Sequence, residues 1–136
     1  MSIQNALSAL GLPSRDPSLT SRHLTEVDGG ALCARPYRVS ANKYVGQDEA
    51  VDAIFLHYLQ SLKPGGGTRA LKRLIEIADA IQVPIVLSPT GYSTPLRPVP
   101  LTKDELTAYY TRFGFQSLEA RNPGKWTNTL LIRRPS

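Results

Sequence analysis

VDAIFLHYLQSLKPGGGTRALKRLIEIADAIQVPIVLS, residues 51–88, decides the fold. Its first nine residues are rich in β-branched and aromatic side chains and hold no proline or glycine, which predicts a central strand. The glycines at 65–67 interrupt the run. After them Leu71, Leu74, Ile75, Ala78 and Ile81 recur at helical spacing, while Lys72, Arg73, Glu76 and Asp79 fall elsewhere. That pattern predicts an amphipathic helix of about four turns. Residues 83–87 read as a short buried strand.

Outward from this block, the downstream half continues with an alternation of elements. Residues 88–100 carry four prolines and a glycine without periodicity, the composition of a semi-rigid surface loop. Thr102 followed by Glu105 makes a capping box, with Leu101 placed to staple onto Leu106. The helix it opens runs through Tyr110 and stops near Gly114, where a left-handed cap is expected. Residues 115–119 and 127–133 supply two last strands around a turn at Asn122-Pro123-Gly124. Upstream, residues 2–10 read as a short helix with Ile3, Ala6, Leu7 and Leu10 on one face. Extended pieces at 24–27 and 31–39 flank the turn Asp28-Gly29-Gly30.

The order strand, glycine turn, helix, strand, helix, strand, strand predicts an α/β (α+β) domain with a mixed central sheet flanked by helices. At 136 residues the chain fits one domain. Hydrophobic residues at 41% and charged residues at 20% exclude wholesale disorder. A lone cysteine, Cys33, forms no internal disulfide, and two histidines, His23 and His57, are too few for a structural zinc site. No metal is expected. A cytoplasmic setting is expected too, because residues 1–16 lack a basic start followed by an apolar core and no run reaches the roughly 18 apolar residues of a membrane span. The net charge of +5 favours anionic partners. The basic residues are dispersed and no interleaved aromatic motif accompanies them, so a phosphate-rich cofactor suits the charge better than nucleic acid.

The glycine turn is where chemistry enters. A strand-to-helix junction with glycines exposes successive backbone N–H groups at a helix N-terminus and so binds phosphate. Gly65, Gly67 and Ala70 fit a dinucleotide fingerprint, but that fold requires a carboxylate at the end of the next strand, where Val86-Leu87-Ser88 has none. A nucleoside-triphosphate loop fails because no Gly-Lys-Ser/Thr follows.

These residues resemble a family. LKPGGGTRALKRLIEIADAIQVPIVLSP followed by LTKDELTAYYTRFGF resembles the acyl-CoA-binding half of the GNAT superfamily, particularly compact members encoded by bacteriophages. The resemblance covers residues 51–134 and leaves 1–50 as a variable part. Gly65 and Gly67 match the loop pattern Q/R-x-x-G-x-G/A, with Leu62 standing where Gln or Arg is usual. The element Tyr110-Thr111-Arg112-Phe113-Gly114-Phe115 matches YxxxGF.

The resemblance implies an N-acyltransferase that moves an acetyl group from acetyl-CoA, or another acyl-CoA, to an amine on a small molecule or protein. It implies pyrophosphate donors at Gly65, Gly66, Gly67, Thr68 and Arg69, and pantetheine contacts from the backbone at Leu59 and Ser61. It places Tyr110 beside the sulfur as general acid, protonated at neutral pH with a free pKa near about 10. His57 is the leading base candidate, with a reference pKa near about 6.5, on the face that alternation assigns to Leu59. Asp52 and Glu49 are further candidates, and Tyr109 is read as packing. An alternative is a protein that keeps the fold, and the cofactor with it, and acts by binding and inhibiting or modulating a partner protein.

Overall fold

The computed structural model describes residues 2–12, 24–91, 94, 96, 98–120 and 130–136. The Asn122-Pro123-Gly124 turn and positions 127–129 lie outside the described residues.

Helix α1 (Ile3–Ala9) opens on Ser2, whose hydroxyl accepts from the Asn5 N–H, and it buries Ala6 and Leu7. Strands β1 (Thr25–Val27) and β2 (Gly30–Val39) form a hairpin whose loop is only Asp28-Gly29. Both loop residues have positive φ, +51° and +89°. A two-residue hairpin with that geometry matches the twist of its strands, which is why Asp-Gly serves here. Gly30, expected in the turn, is the first residue of β2.

Strand β3 (Val51–Ser61) runs antiparallel to β2 and extends two residues past the predicted end. Helix α2 (Gly66–Ala80) follows, with Leu71, Leu74 and Ala78 buried. Next come β4 (Ile85–Leu87), α3 (Lys103–Thr111), β5 (Gln116–Leu118) and β6 (Leu130–Arg133). The Thr102–Glu105 capping box is present in both directions, at 3.1 and 2.9 Å, and Gly114 takes φ +94° after the helix.

The six strands form one mixed sheet in the order β1-β2-β3-β4-β6-β5, with β3 and β4 parallel and every other pair antiparallel. Pro36 sits inside β2 opposite Ile54. It is tolerated because Ile54 directs its N–H away to Pro84, making this a pair that exchanges no bonds, and because β1 ends well short of Pro36 on the other edge.

All three helices contribute to one apolar cluster, which contains Leu7, Leu71, Leu74, Tyr110, Leu32, Ile54 and Leu56. The opposite face of the sheet holds a second cluster, built from strands and loops: Val39, Tyr44, Ala53, Val86, Leu118 and Ile132. The C-terminal end of α2 is clamped to β6 by Asp79, which accepts both terminal guanidinium nitrogens of Arg133 at 2.7 and 3.2 Å. Among the described residues no helix is long and apolar enough to cross a membrane.

Candidate acyl-CoA site

Strand β3 changes character at His57. Its pairing with β2 passes from Ala34 opposite Leu56 to Cys33 opposite Tyr58, so His57 is an extra residue with no counterpart. This is a β-bulge, and it inverts the alternation of everything beyond it. Two amides display the inversion. The Ile54 N–H donates outward to Pro84 O at 2.9 Å, on the β4 side, whereas the Leu62 N–H donates to Gly29 O at 3.0 Å, on the β2 side. Equal parity in a regular strand would send both the same way. Beyond the bulge the amides of Leu59 and Ser61 therefore turn toward the edge that β2 does not occupy.

Side chains invert likewise. Ile54, Leu56 and Leu59 join the helix-side cluster, while Phe55 belongs to the opposite one and stacks on His57 with ring centres 4.5 Å apart. His57 and Leu59 thus lie on opposite faces. The expectation from alternation is corrected by the one inserted residue.

Strand β4 stops at Leu87, opposite Leu56, while β3 continues for five more residues. The parting of the two strands opens a cleft of about 520 Å³. That volume is in the usual range for small-molecule sites. Residues 56–61 of β3 form one wall, Leu87, Ser88, Thr90 and Gly91 face them, α3 contributes Leu106, Tyr109 and Tyr110, and the start of α2 closes the far end.

That far end is built on glycine. Gly65 caps α2 in the left-handed region, φ +76°, which favours a residue without a Cβ. Gly67 lets the helix descend onto β3, since a Cβ there would lie 2.9 Å from Ser61 Oγ. The Ser61 hydroxyl in turn accepts from the Gly67 N–H at 2.7 Å. Gly66 faces away from the cleft, where a Cβ would strike the Gly29 carbonyl, and its N–H donates to Lys63 O at 2.8 Å. The Arg69 N–H is engaged with Gly65 O. Among the described residues this leaves the amides of Gly65 and Thr68 without an intramolecular acceptor at the helix N-terminus.

Charge gathers at the same end. Arg69 Nε donates to the Asp28 carbonyl at 2.9 Å, and a terminal nitrogen of Arg69 would lie 3.1 Å from a Cβ on Gly65. The described acceptors of Arg69 are carbonyls, of Asp28 and Pro64, and not carboxylates. Arg73 instead bridges Asp28 and Glu76 at 3.4 and 3.2 Å.

At the other end, Tyr110 is 7% exposed and packs edge-on against Tyr109 and Phe115. The Tyr109 hydroxyl lies 2.7 Å from Thr68 Oγ1, joining α3 to the first turn of α2 across the cleft. His57 Nε2 accepts from Arg35 Nε at 2.7 Å. Burial first, and the Arg35 charge second, hold the imidazole below its ordinary pKa. His57 is therefore neutral, with its single lone pair bound to Arg35 and its proton on Nδ1.

Of the residues singled out from sequence, His57, Leu59, Ser61, Gly65, Gly67, Thr68 and Tyr110 line the cleft, and Gly66 and Arg69 do not. Asp52 lies at the far end of β3 in a surface ion pair with Arg38 at 2.9 Å, and neither it nor Glu49 reaches the cleft wall. Tyr109 does more than pack, and Arg35 was not singled out at all. Their partners stand 41 and 22 residues away, beyond the reach of any spacing rule.

Sheet order, bulge, parted strands and glycine-capped helix together define a GNAT-like fold. The N-acetyltransferase YlbP of Bacillus subtilis, solved in complex with coenzyme A, shares it with a TM-score of 0.50 and 17% identity, over 78% of this chain and 60% of that one. A bacterial toxin shares it with a TM-score of 0.51 and 17% identity, over 77% of this chain and 59% of its own. The chain thus spans about three-fifths of the length of each, and at that identity the likeness is one of fold. No protein-family model matches the chain, and no curated protein matches it in sequence.

Proposed function

We propose that the chain is an acyl-CoA-dependent N-acyltransferase, with acetyl-CoA as the simplest donor. The observation that carries this reading is the cleft running from the His57 bulge to the Gly65 cap, with backbone donors turned toward it at both ends. The residues fit the cofactor: two helix-terminal amides with Arg69 beside them suit a pyrophosphate, and the β3 backbone beyond the bulge, where it runs past the end of β4, suits the amide-bearing pantetheine arm. A fold neighbour crystallised with coenzyme A supports the same ligand class.

When bound, the cofactor supplies an activated thioester acyl group. The Gly65 and Thr68 amides, with Arg69 behind them, hold its phosphates. The β3 backbone around Leu59 and Ser61 orients the arm, and the bulge polarises the carbonyl as negative charge develops there. Tyr110 delivers the proton that the departing thiolate needs, and its ring packing fixes where that hydroxyl points. His57 takes the amine proton at Nε2, which requires that Arg35 first release that nitrogen.

Calorimetric titration with acetyl-CoA at low salt, followed by CoA-thiol release across a panel of amines, tests the reading. Binding and release are expected. Tyr110→Phe keeps the ring and should leave affinity nearly unchanged while lowering the transfer rate about 10²- to 10⁴-fold. Absence of acetyl-CoA binding would falsify the proposal, and binding without release to any acceptor would favour a protein that works by attaching to a partner.

A further inference from the structure

Arg35 is exposed on the helix-free face of the sheet, and its only described partner is His57. Nε is committed to the imidazole, and the two terminal nitrogens have no acceptor among the described residues. This is unusual company for a neutral histidine on a cleft wall. The guanidinium both covers the imidazole lone pair and sets a full positive charge beside it. A bare ammonium or a simple amine approaching His57 meets a like charge and a blocked base. An acceptor carrying a carboxylate meets neither obstacle, because a carboxylate accepts the planar fork in a bidentate ion pair, two bonds between opposite charges in place of one bond to a neutral imidazole.

The apolar surroundings suit the rest of such a molecule. Phe55 stacks on His57, and Tyr37 meets Phe55 edge-on at 5.1 Å, so an aromatic strip runs from the cleft along the open face. The other cation on this stretch of β2, Arg38, is already satisfied by Asp52. Among the described residues Arg35 is the cation bonded to the His57 imidazole, and its two terminal nitrogens remain unused.

Resting on the acyltransferase reading, we infer that Arg35 determines acceptor specificity: it selects amines that bear a carboxylate, α-amino acids among them, and by swinging onto that carboxylate it uncovers His57 Nε2 to take the amine proton. The step forms a C–N bond to the acyl carbon as its C–S bond breaks, with the proton of the amine passing to Nε2 and that of Tyr110 to the sulfur. The amine nitrogen loses its proton to Nε2 as it attacks the acyl carbon, and the thiolate leaves.

The experiment compares CoA release with L-phenylalanine and with phenethylamine, which differ only in the carboxylate, for the unmodified chain, Arg35→Gln and Arg35→Lys. The unmodified protein should prefer phenylalanine by about 10- to 100-fold in kcat/KM, the span of a charged hydrogen-bonded pair. Arg35→Gln should bring that ratio close to one, lowering phenylalanine turnover without lowering phenethylamine turnover. Arg35→Lys should restore part of the preference, since it keeps the charge and loses the fork. Arg35 is exposed, so folding should survive both changes, and the ratio between two acceptors is insensitive to a uniform loss of activity. Equal use of both amines by the unmodified protein, or a preference unaffected by Arg35→Gln, overturns the inference while leaving the acyltransferase reading intact. No release with either amine, in a protein that turns over other acceptors lacking a carboxylate, overturns it too. No release with any acceptor overturns both.

Discussion

Ile54, Phe55 and Leu56 lie between β2 and β4, with Ile54 fully buried, whereas residues 58–61 of the same strand keep β2 and lose β4. Helix α2 repeats the contrast. Its C-terminal half is locked to the sheet by the Asp79–Arg133 ion pair, while its N-terminal turn is held by hydrogen bonds to uncharged groups, the hydroxyls of Ser61 and Tyr109 and the carbonyls of Lys63 and Asp28. A single added residue, His57, separates a part of the strand that lies between two neighbouring strands from a part that runs past the end of β4. The difference teaches that the site is made by interrupting the sheet, and that its two ends should respond differently to substitution.

The contrast breaks most visibly in the sealed half. Ile54→Ala should destabilise the protein by about 2–5 kcal/mol in chemical denaturation, through lost burial and the cavity left behind. Cofactor affinity, measured where the variant remains folded, should stay close to that of the unmodified protein. A large loss of affinity with little loss of stability would erase the distinction between the halves.

The clamp at the closed end should show in pH. Hydrogen bonding from Arg133 is the main influence holding Asp79 below the usual carboxylate range. Its contribution is fully present above the unfolded value of about 3.9 and is lost as pH falls through the folded value. Asp79→Asn should cost about 1.5–3 kcal/mol at neutral pH and flatten the decline in stability below about pH 4. An unaltered acid limb in urea denaturation would remove Asp79 from that role.

The smallest effect is expected at the open end. Thr68→Val removes the hydroxyl that meets Tyr109 and should lower stability by only about 0.5–1.5 kcal/mol. Acetyl-CoA binding through the Thr68 amide should persist. If the variant instead loses several kcal/mol, the open end is as rigidly held as the closed one.

The fold was legible where local rules suffice. Glycine spacing, the capping box at Thr102 and the left-handed position at Gly114 all act within a few residues, and each appears where the pattern placed it. The bulge was hidden because period-two alternation carries no mark of an inserted residue, and so His57 was assigned to the wrong face. The orientation of Gly66 was hidden for a related reason. A glycine run shows that backbone must come close, but not which glycine meets the hairpin and which meets the cleft. Arg35 and Tyr109 acquire their partners only when distant elements dock.

The Asp28-Gly29 loop has a kinetic side. Gly29 O accepts the N–H groups of both Leu62 and Lys63, Asp28 O receives Arg69, and Gly66 lies against the same carbonyl. These contacts join segments more than 30 residues apart, so their closure is a high-contact-order event. The β3–α2 segment by itself lacks the surface against which its glycine turn is shaped. Assembly of the glycine-capped end must therefore await docking of the hairpin, and the amides of Leu62 and Lys63 would acquire protection from solvent exchange as that docking completes.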